Sequence, residues 1–247
     1  MGQATVPDPI HPLPPTREAA AARRTLQRIG TVAVLGIGLG LLMQVLIVIA
    51  RNLSGGPWPG LAIAVETAQT VSWVALVCSG VAIAIAVGRA RRVLAGLVAA
   101  LCAPLALAAA KALQKLVAEL IDAPQTANLI PIETVSLIRG IEYGLLAWLL
   151  ALLVHREVTR MPPYLWTGTG VGLVFGGAVT ALLTQAHVTE AGALSLVFLS
   201  GTLVAEVGTP IGCALVIYVG QAVAGAAKVF GGGGKGGEGW NGSEHGQ

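Results

Sequence analysis

Residues 29–50 read IGTVAVLGIGLGLLMQVLIVIA, a run without a charged residue that lies between Arg28 and Arg51. An α-helix rises 1.5 Å per residue, so about 20 residues cross a hydrocarbon core of roughly 30 Å. This stretch therefore predicts a transmembrane helix. Five more apolar segments follow it, at about 60–88, 93–112, 134–155, 164–186 and 190–227.

The composition agrees with a membrane protein. Of the 247 residues, 55% are hydrophobic and only 11% are charged, and the mean hydropathy is +0.77. These values lie outside the range of soluble globular domains. We therefore expect an all-α, polytopic transmembrane helical bundle that is embedded in a lipid bilayer and crosses it six times.

Basic residues cluster in every second connection between the apolar segments. They are Arg17, Arg23, Arg24 and Arg28; Arg89, Arg91 and Arg92; Arg156 and Arg160; and Lys228 and Lys235. The intervening connections hold only Arg51. This asymmetry predicts a cytoplasmic N-terminus in a prokaryotic cytoplasmic (inner) membrane. Because the net charge of +3 is spread over several connections, no nucleic-acid partner is expected.

Three regions are expected along the chain. Residues 1–27 form a cytoplasmic arm rich in Pro, Ala and Arg that becomes a short basic helix near Arg23, residues 28–228 form the bundle, and residues 229–247 form a flexible Gly-rich tail. The last apolar segment is too long for one simple crossing, and proline disturbs a helix, so we expect a kink or break at Pro210. A single tilted helix gives six crossings. Two short segments, about 190–207 and 210–227, would form a re-entrant pair or raise the count to seven.

Charged residues within an apolar bundle are candidates for function, because each is costly there unless it is paired or hydrated. With the N-terminus inside, six of them fall in the outer half: Glu66, Lys111, Lys115, Glu119, Arg139 and Glu142. The spacings Lys115–Glu119 and Arg139–Glu142 allow each pair to meet on one helix face. One interpretation is a polar vestibule that holds an ion, a lipid head group or a peptide. The other is structural, with Lys111 and Lys115 reaching the interface from a short amphipathic helix at 111–122.

Glu206 is a separate candidate, deep in the last segment beside Pro210. As a lone carboxyl there, it is expected to be protonated or to face a water-filled gap.

Small residues at helical spacing mark close helix contacts. GxxxG steps occur at Gly36 and Gly40, and at Gly168, Gly172 and Gly176. They let two backbones approach closely, so the fifth helix is expected at the centre of the bundle.

Enzyme signatures are missing from the sequence. The four histidines are scattered, without the spacing of a metal-binding pair, and no serine or lysine stands in a nucleophile–base arrangement. We expect no cofactor, no metal site and no catalytic residue.

Residues 141–217 nevertheless contain a series of short motifs in a distinctive order. Ile141-Glu142-Tyr143 begins it. A polar loop at 155–163, the Gly-rich stretch 170–175 of the fifth segment, which includes Phe175, and Thr209-Pro210 follow. This order resembles a degenerate member of the PrsW-type intramembrane proteases, which are relatives of the CAAX-type proteases.

The positions that carry catalysis in that family differ in this chain. Leu145 stands at the lysine of the family's EExxK motif, Val179 at the glutamate of its FxxxE motif, and Gly212 or Cys213 at its histidine. The resemblance thus implies a related fold without the acid and base that activate water.

Two functions remain open from the sequence. The first is a non-enzymatic subunit or scaffold of a membrane complex, which binds partner helices, a substrate segment or a second copy through a Gly-rich face. The second is a small transporter or channel component with a polar path through Glu66, Arg139, Glu142 and Glu206.

Overall fold

The part of the chain that the structure describes folds into six long α-helices. The computed structural model describes residues 17–88, 92–123 and 129–231, and these contain no β-strand. The helices are α1 (Arg17–Leu53), α2 (Ala62–Val87), α3 (Arg92–Leu120), α4 (Ile132–His155), α5 (Met161–Ala191) and α6 (Leu196–Gly231). All six are long and apolar enough to cross a membrane. The expected all-α, multi-pass bundle with six crossings is confirmed.

Several segment boundaries differ from the expected ones. α1 already begins at Arg17, so residues 17–27 are helical and continuous with the first crossing. α3 continues to Leu120, which means that 111–122 is not a separate amphipathic helix. α5 extends to Ala191 through a π-helical turn at Gly172–Gly176. Residues 1–16 of the arm, Arg89 and Arg91, and most of the tail lie outside the described residues.

Pro210 does not divide the last helix. α6 runs without interruption from Leu196 to Gly231, so the division into two segments was wrong. Proline has no N–H to donate, so the helical hydrogen bond to the carbonyl of Glu206, four residues earlier, cannot form. That carbonyl lies against Gly176 of α5. The close approach of α5 therefore occurs at the turn that the proline loosens.

The helices form a closed ring. α1, α2, α3 and α4 pack in sequence order, and α6 closes the ring by packing against both α1 and α5. In the interior, α2 contacts α4 and α6. α5 packs mainly against α6 and less against α4, and its apolar stretch is the least buried of the six. The expectation that α5 lies at the centre was wrong, because its glycines face only one neighbour.

The bundle has two unlike ends. We call the end at residues 54–61, 121–123, 129–131 and 192–195 the distal end, and the end near the first and last helical residues the proximal end. The proximal half holds most of the close-packed apolar core, which includes Val77, Cys78, Ala95, Ala99, Leu146, Leu150, Cys213 and Ile217. Alanines on α3 let the neighbouring helices approach closely there. The polar residues lie in the distal half.

Candidate functional site

A cavity of about 350 Å³ occupies the distal half of the bundle, and all six helices contribute to its wall. Its polar lining residues are Gln44, Arg51, Glu66, Gln69, Thr70, Lys111, Gln114, Arg139, Thr202, Glu206 and Thr209. Apolar residues such as Leu107 and Phe198 complete the wall. A concave site with a few convergent polar groups is the usual form of a small-molecule site.

Arg139 binds two carboxylates at the floor of this cavity. Its Nη1 donates to Oε2 of Glu142 at 2.7 Å on the same helix, and its Nη2 donates to Oε2 of Glu206 on α6. The three residues are buried, with 6%, 0% and 8% of their surfaces exposed. The guanidinium also lies over the Trp73 ring, 5.4 Å from its centroid. This triad of Arg139, Glu142 and Glu206 corrects the expectation of a lone Glu206 carboxyl.

The triad leaves several hydrogen-bonding groups unused. Glu142 Oε1, Arg139 Nε and the Tyr143 hydroxyl are buried and have no partner among the described residues. One guanidinium faces two carboxylates, so with both carboxylates ionised the triad carries a net charge of −1. An excess negative charge in an apolar bundle is costly unless a proton or a cationic group balances it.

A second ion pair crosses the cavity nearer the distal end. Arg51 Nη1 of α1 donates to both oxygens of Glu66 on α2, at 2.8 and 2.7 Å. Gln44 Nε2 lies 3.5 Å from Glu66 Oε2, and Thr70 Oγ1 donates to Gln44 Oε1 at 2.9 Å. Each charged side chain is one-third exposed. The pair is thus more hydrated than the triad below it.

The Arg51–Glu66 pair also lies at a boundary between two cavities. A second cavity of about 360 Å³ lies under Pro57, Trp58 and Pro59, and it shares Arg51 and Glu66 with the first. Gly201 of α6 gives the arginine its space, because a β-carbon there would lie 2.5 Å from Arg51 Nε. The pair therefore stands between the polar cavity and the distal surface.

The six charged residues predicted for one cluster separate into two groups. Glu66, Lys111 and Arg139 line the cavity, and Glu142 contacts it through Arg139. Lys115 and Glu119 do not line it: they form an exposed pair with an N–O distance of 3.9 Å. α3 turns these two residues away, since its face toward the cavity carries Leu107, Lys111 and Gln114.

Several residues of the cavity were not predicted as site residues from the sequence. Arg51 was counted only for topology, and Gln44, Gln69 and Trp73 were passed over because they carry no charge. Gln44 is buried and bonded to the Glu66 network. The sequence did contain an indication of this role, because Gln44 is a rare amide in the middle of a strongly apolar segment.

The glycines of the predicted packing motifs lie against neighbouring helices of the same chain. β-Carbons on Gly36 and Gly40 would lie 3.0 and 2.6 Å from the Cα atoms of Ala75 and Val71 on α2. The glycines of α5 face α6.

A β-carbon on Gly168 would lie 2.8 Å from the Cα atom of Ile211, and one on Gly172 would lie 2.7 Å from the carbonyl oxygen of Val207. Gly176 meets the carbonyl of Glu206. These faces are therefore occupied within the chain.

Three positions of the protease resemblance, Glu142, Val179 and Cys213, are buried. Val179 is 2% and Cys213 is 0% exposed, and Glu142 is held by Arg139.

Among the described residues, no three His, Cys, Asp or Glu side chains form a group that could hold a metal ion. The chain matches no protein-family model, no curated protein and no solved structure.

Proposed function

We propose that this protein is a small transporter, or the solute-binding component of one, and that a small polar solute occupies its distal cavity. The observation that carries the proposal is the ring of six helices around a polar space that holds Arg51, Glu66, Lys111, Arg139 and Glu206. Buried charges in membrane helices are rare and commonly mark substrate or ion pathways. For stability alone, apolar side chains in place of these charged ones would serve equally well.

The shape of the interior supports access from one side. The cavity lies in the distal half, and the space below the triad is filled by tightly packed residues such as Tyr143, Leu146 and Cys213. This arrangement matches one state of a protein that exposes its site to the two sides in turn. The Arg51–Glu66 pair would then regulate passage at the distal side.

The scaffold hypothesis has less support. It placed partner binding on a Gly-rich face, but the glycines of α1 and α5 named for that role contact α2 and α6. Another membrane subunit or a second copy would instead bind through the lipid-facing surface. We assign no catalysis to the cavity, because its Arg139, Glu142 and Glu206 side chains bind one another.

Thiol labelling tests whether polar solutes reach the cavity. In a background with Cys78, Cys102 and Cys213 replaced by Ala, Thr202→Cys should react with a charged methanethiosulfonate reagent, since Thr202 lines the cavity. The matched control is Leu203→Cys, one residue on and exposed on the outer face of the bundle. It should stay unlabelled, because a thiol in lipid remains protonated. Equal resistance of both cysteines would reject the proposed function.

We further propose a cytoplasmic membrane location with the N-terminus in the cytoplasm, on the basis of the Arg and Lys distribution. In the same cysteine-free background, Trp58→Cys should be labelled in intact cells, because Trp58 is exposed at the distal end. Thr159→Cys, in the connection between α4 and α5, should resist an impermeant reagent. The opposite pattern would invert the topology.

A further inference from the structure

The cavity has two charged poles of opposite sign, and the inference drawn from them rests on the proposed function. The acidic pole is Glu206, which belongs to a triad with one guanidinium and two carboxylates. Oε2 of Glu206 accepts a hydrogen bond from Arg139 Nη2. Since Glu142 is fully enclosed, Glu206 is the carboxylate of the triad that lines the cavity.

The basic pole is Lys111 on α3. It lines the cavity and is partly buried, and no described carboxylate lies within ion-pair distance of it. The segment 124–128, which follows α3 and is not described, contains no acidic residue. Arg51, the other cation near the distal end, is already bound to Glu66. Lys111 is therefore the ammonium of the cavity that has no described carboxylate to balance it.

We propose that the cavity binds a small zwitterion, with the ligand's ammonium group at Glu206 and its carboxylate or phosphate at Lys111. Such a ligand balances both poles at once. The two poles carry opposite charges, but they do not form an ion pair with each other. A simple anion would pair only with Lys111, and a simple cation only with Glu206. The volume of about 350 Å³ corresponds to about twelve water molecules, each of which takes about 30 Å³. This space suits a free amino acid or the ethanolamine-phosphate head group of a lipid.

The test measures binding to the full chain in phosphatidylcholine nanodiscs. Thermal unfolding is followed with each proteinogenic L-amino acid, and then with the two halves of the most effective one: its decarboxylated amine and its deaminated acid. A ligand that binds the folded state raises the melting temperature. We expect the intact amino acid to stabilise the protein and neither half to do so. If stabilisation is confined to phosphatidylethanolamine nanodiscs or to free phosphoethanolamine, the zwitterion is a lipid head group.

Two variants link the effect to the poles. Lys111→Met and Glu206→Gln should each weaken binding about tenfold or more, because each removes a charge-assisted hydrogen bond. Glu206→Gln should still fold, since Arg139 keeps Glu142. Lys115→Met is the matched control: it lies one turn from Lys111, outside the cavity, and should bind as the parent protein does.

Three results would overturn the proposal. In the first, the isolated acid binds as well as the amino acid and Glu206→Gln does not weaken binding. In the second, the isolated amine binds as well as the amino acid and Lys111→Met does not weaken binding. In the third, no zwitterion binds to the protein, although its Thr202→Cys variant is labelled. In that last case the cavity is accessible and the proposed function stands, but its ligand is not a zwitterion.

Discussion

The two halves of the bundle are built from different interactions. In the proximal half, alanine, valine and leucine side chains fill the interior, and residues such as Val74, Leu146 and Cys213 are fully buried. In the distal half, the same helices surround a cavity and two ion-pair groups. The packed half holds the helices in register, and the polar half departs from the packing that stability alone would favour. This contrast is the reason to place function at the distal end.

The largest loss of stability is expected when the positive charge of Arg139, which lies between the two halves, is removed. Arg139→Leu leaves Glu142 and Glu206 without their cation, so it should cost about 3–5 kcal/mol and deplete the folded protein. The measurement is the fraction that elutes as a single species after detergent extraction, followed by its thermal unfolding.

A triple variant separates structure from binding in the triad. Replacing Arg139, Glu142 and Glu206 together by Leu should restore stability to at least the parent level, because well-packed apolar residues can substitute for a buried ion group. Ligand binding should be lost. A stable protein that still binds its ligand would show that the triad is only structural.

The proximal half should respond to loss of volume. Leu146→Ala is expected to cost about 2–5 kcal/mol, because Leu146 is fully buried and the space it leaves cannot refill completely. Leu137→Ala, on the exposed face of the same helix, is the control and should change the melting temperature little. If both variants unfold alike, the proximal core is not as closely packed as its burial indicates.

The contact between α5 and α6 should show a smaller effect. Gly172→Ala places a methyl group 2.7 Å from the Val207 carbonyl, so overpacking should cost about 1–3 kcal/mol. The larger Gly172→Leu should disrupt the bundle. Gly170→Ala is the matched control, because nothing lies within 4 Å of a β-carbon there. Equal melting temperatures for the two alanine variants would contradict the close approach.

The smallest change in stability is expected at the distal ion pair. Arg51→Gln should lower the free energy of unfolding by at most about 1 kcal/mol. The two side chains are one-third exposed, so water can replace much of the interaction that Glu66 loses. The effect of Arg51→Gln should appear in access instead, as faster labelling of Thr202→Cys. Glu66→Gln should act in the same way, and Lys115→Gln should not. Unchanged labelling in both pair variants would remove the pair from the path.

Local sequence patterns predicted part of the candidate site correctly. The i,i+3 spacing of Arg139 and Glu142 placed them on one helix face, where they form an ion pair. The same argument paired Lys115 with Glu119 but could not show that this pair faces away from the cavity. The contact of Arg139 with Glu206 joins residues 67 positions apart, and no local pattern predicts it.

The sequence by itself determined the class of the protein, the number of crossings and which residues carry charge within them, because the length and apolarity of a segment are local properties. The tertiary structure alone decided that α5 lies at the side, that α6 passes Pro210 unbroken, and that Glu206 meets Arg139. The physical reason is the solvent. In lipid, the outward and inward faces of a helix are both apolar, so the periodicity that marks the buried face of a soluble helix is weak. The rotation of each helix about its axis is then fixed by close packing and by a few buried polar contacts, which exist only once the helices have assembled.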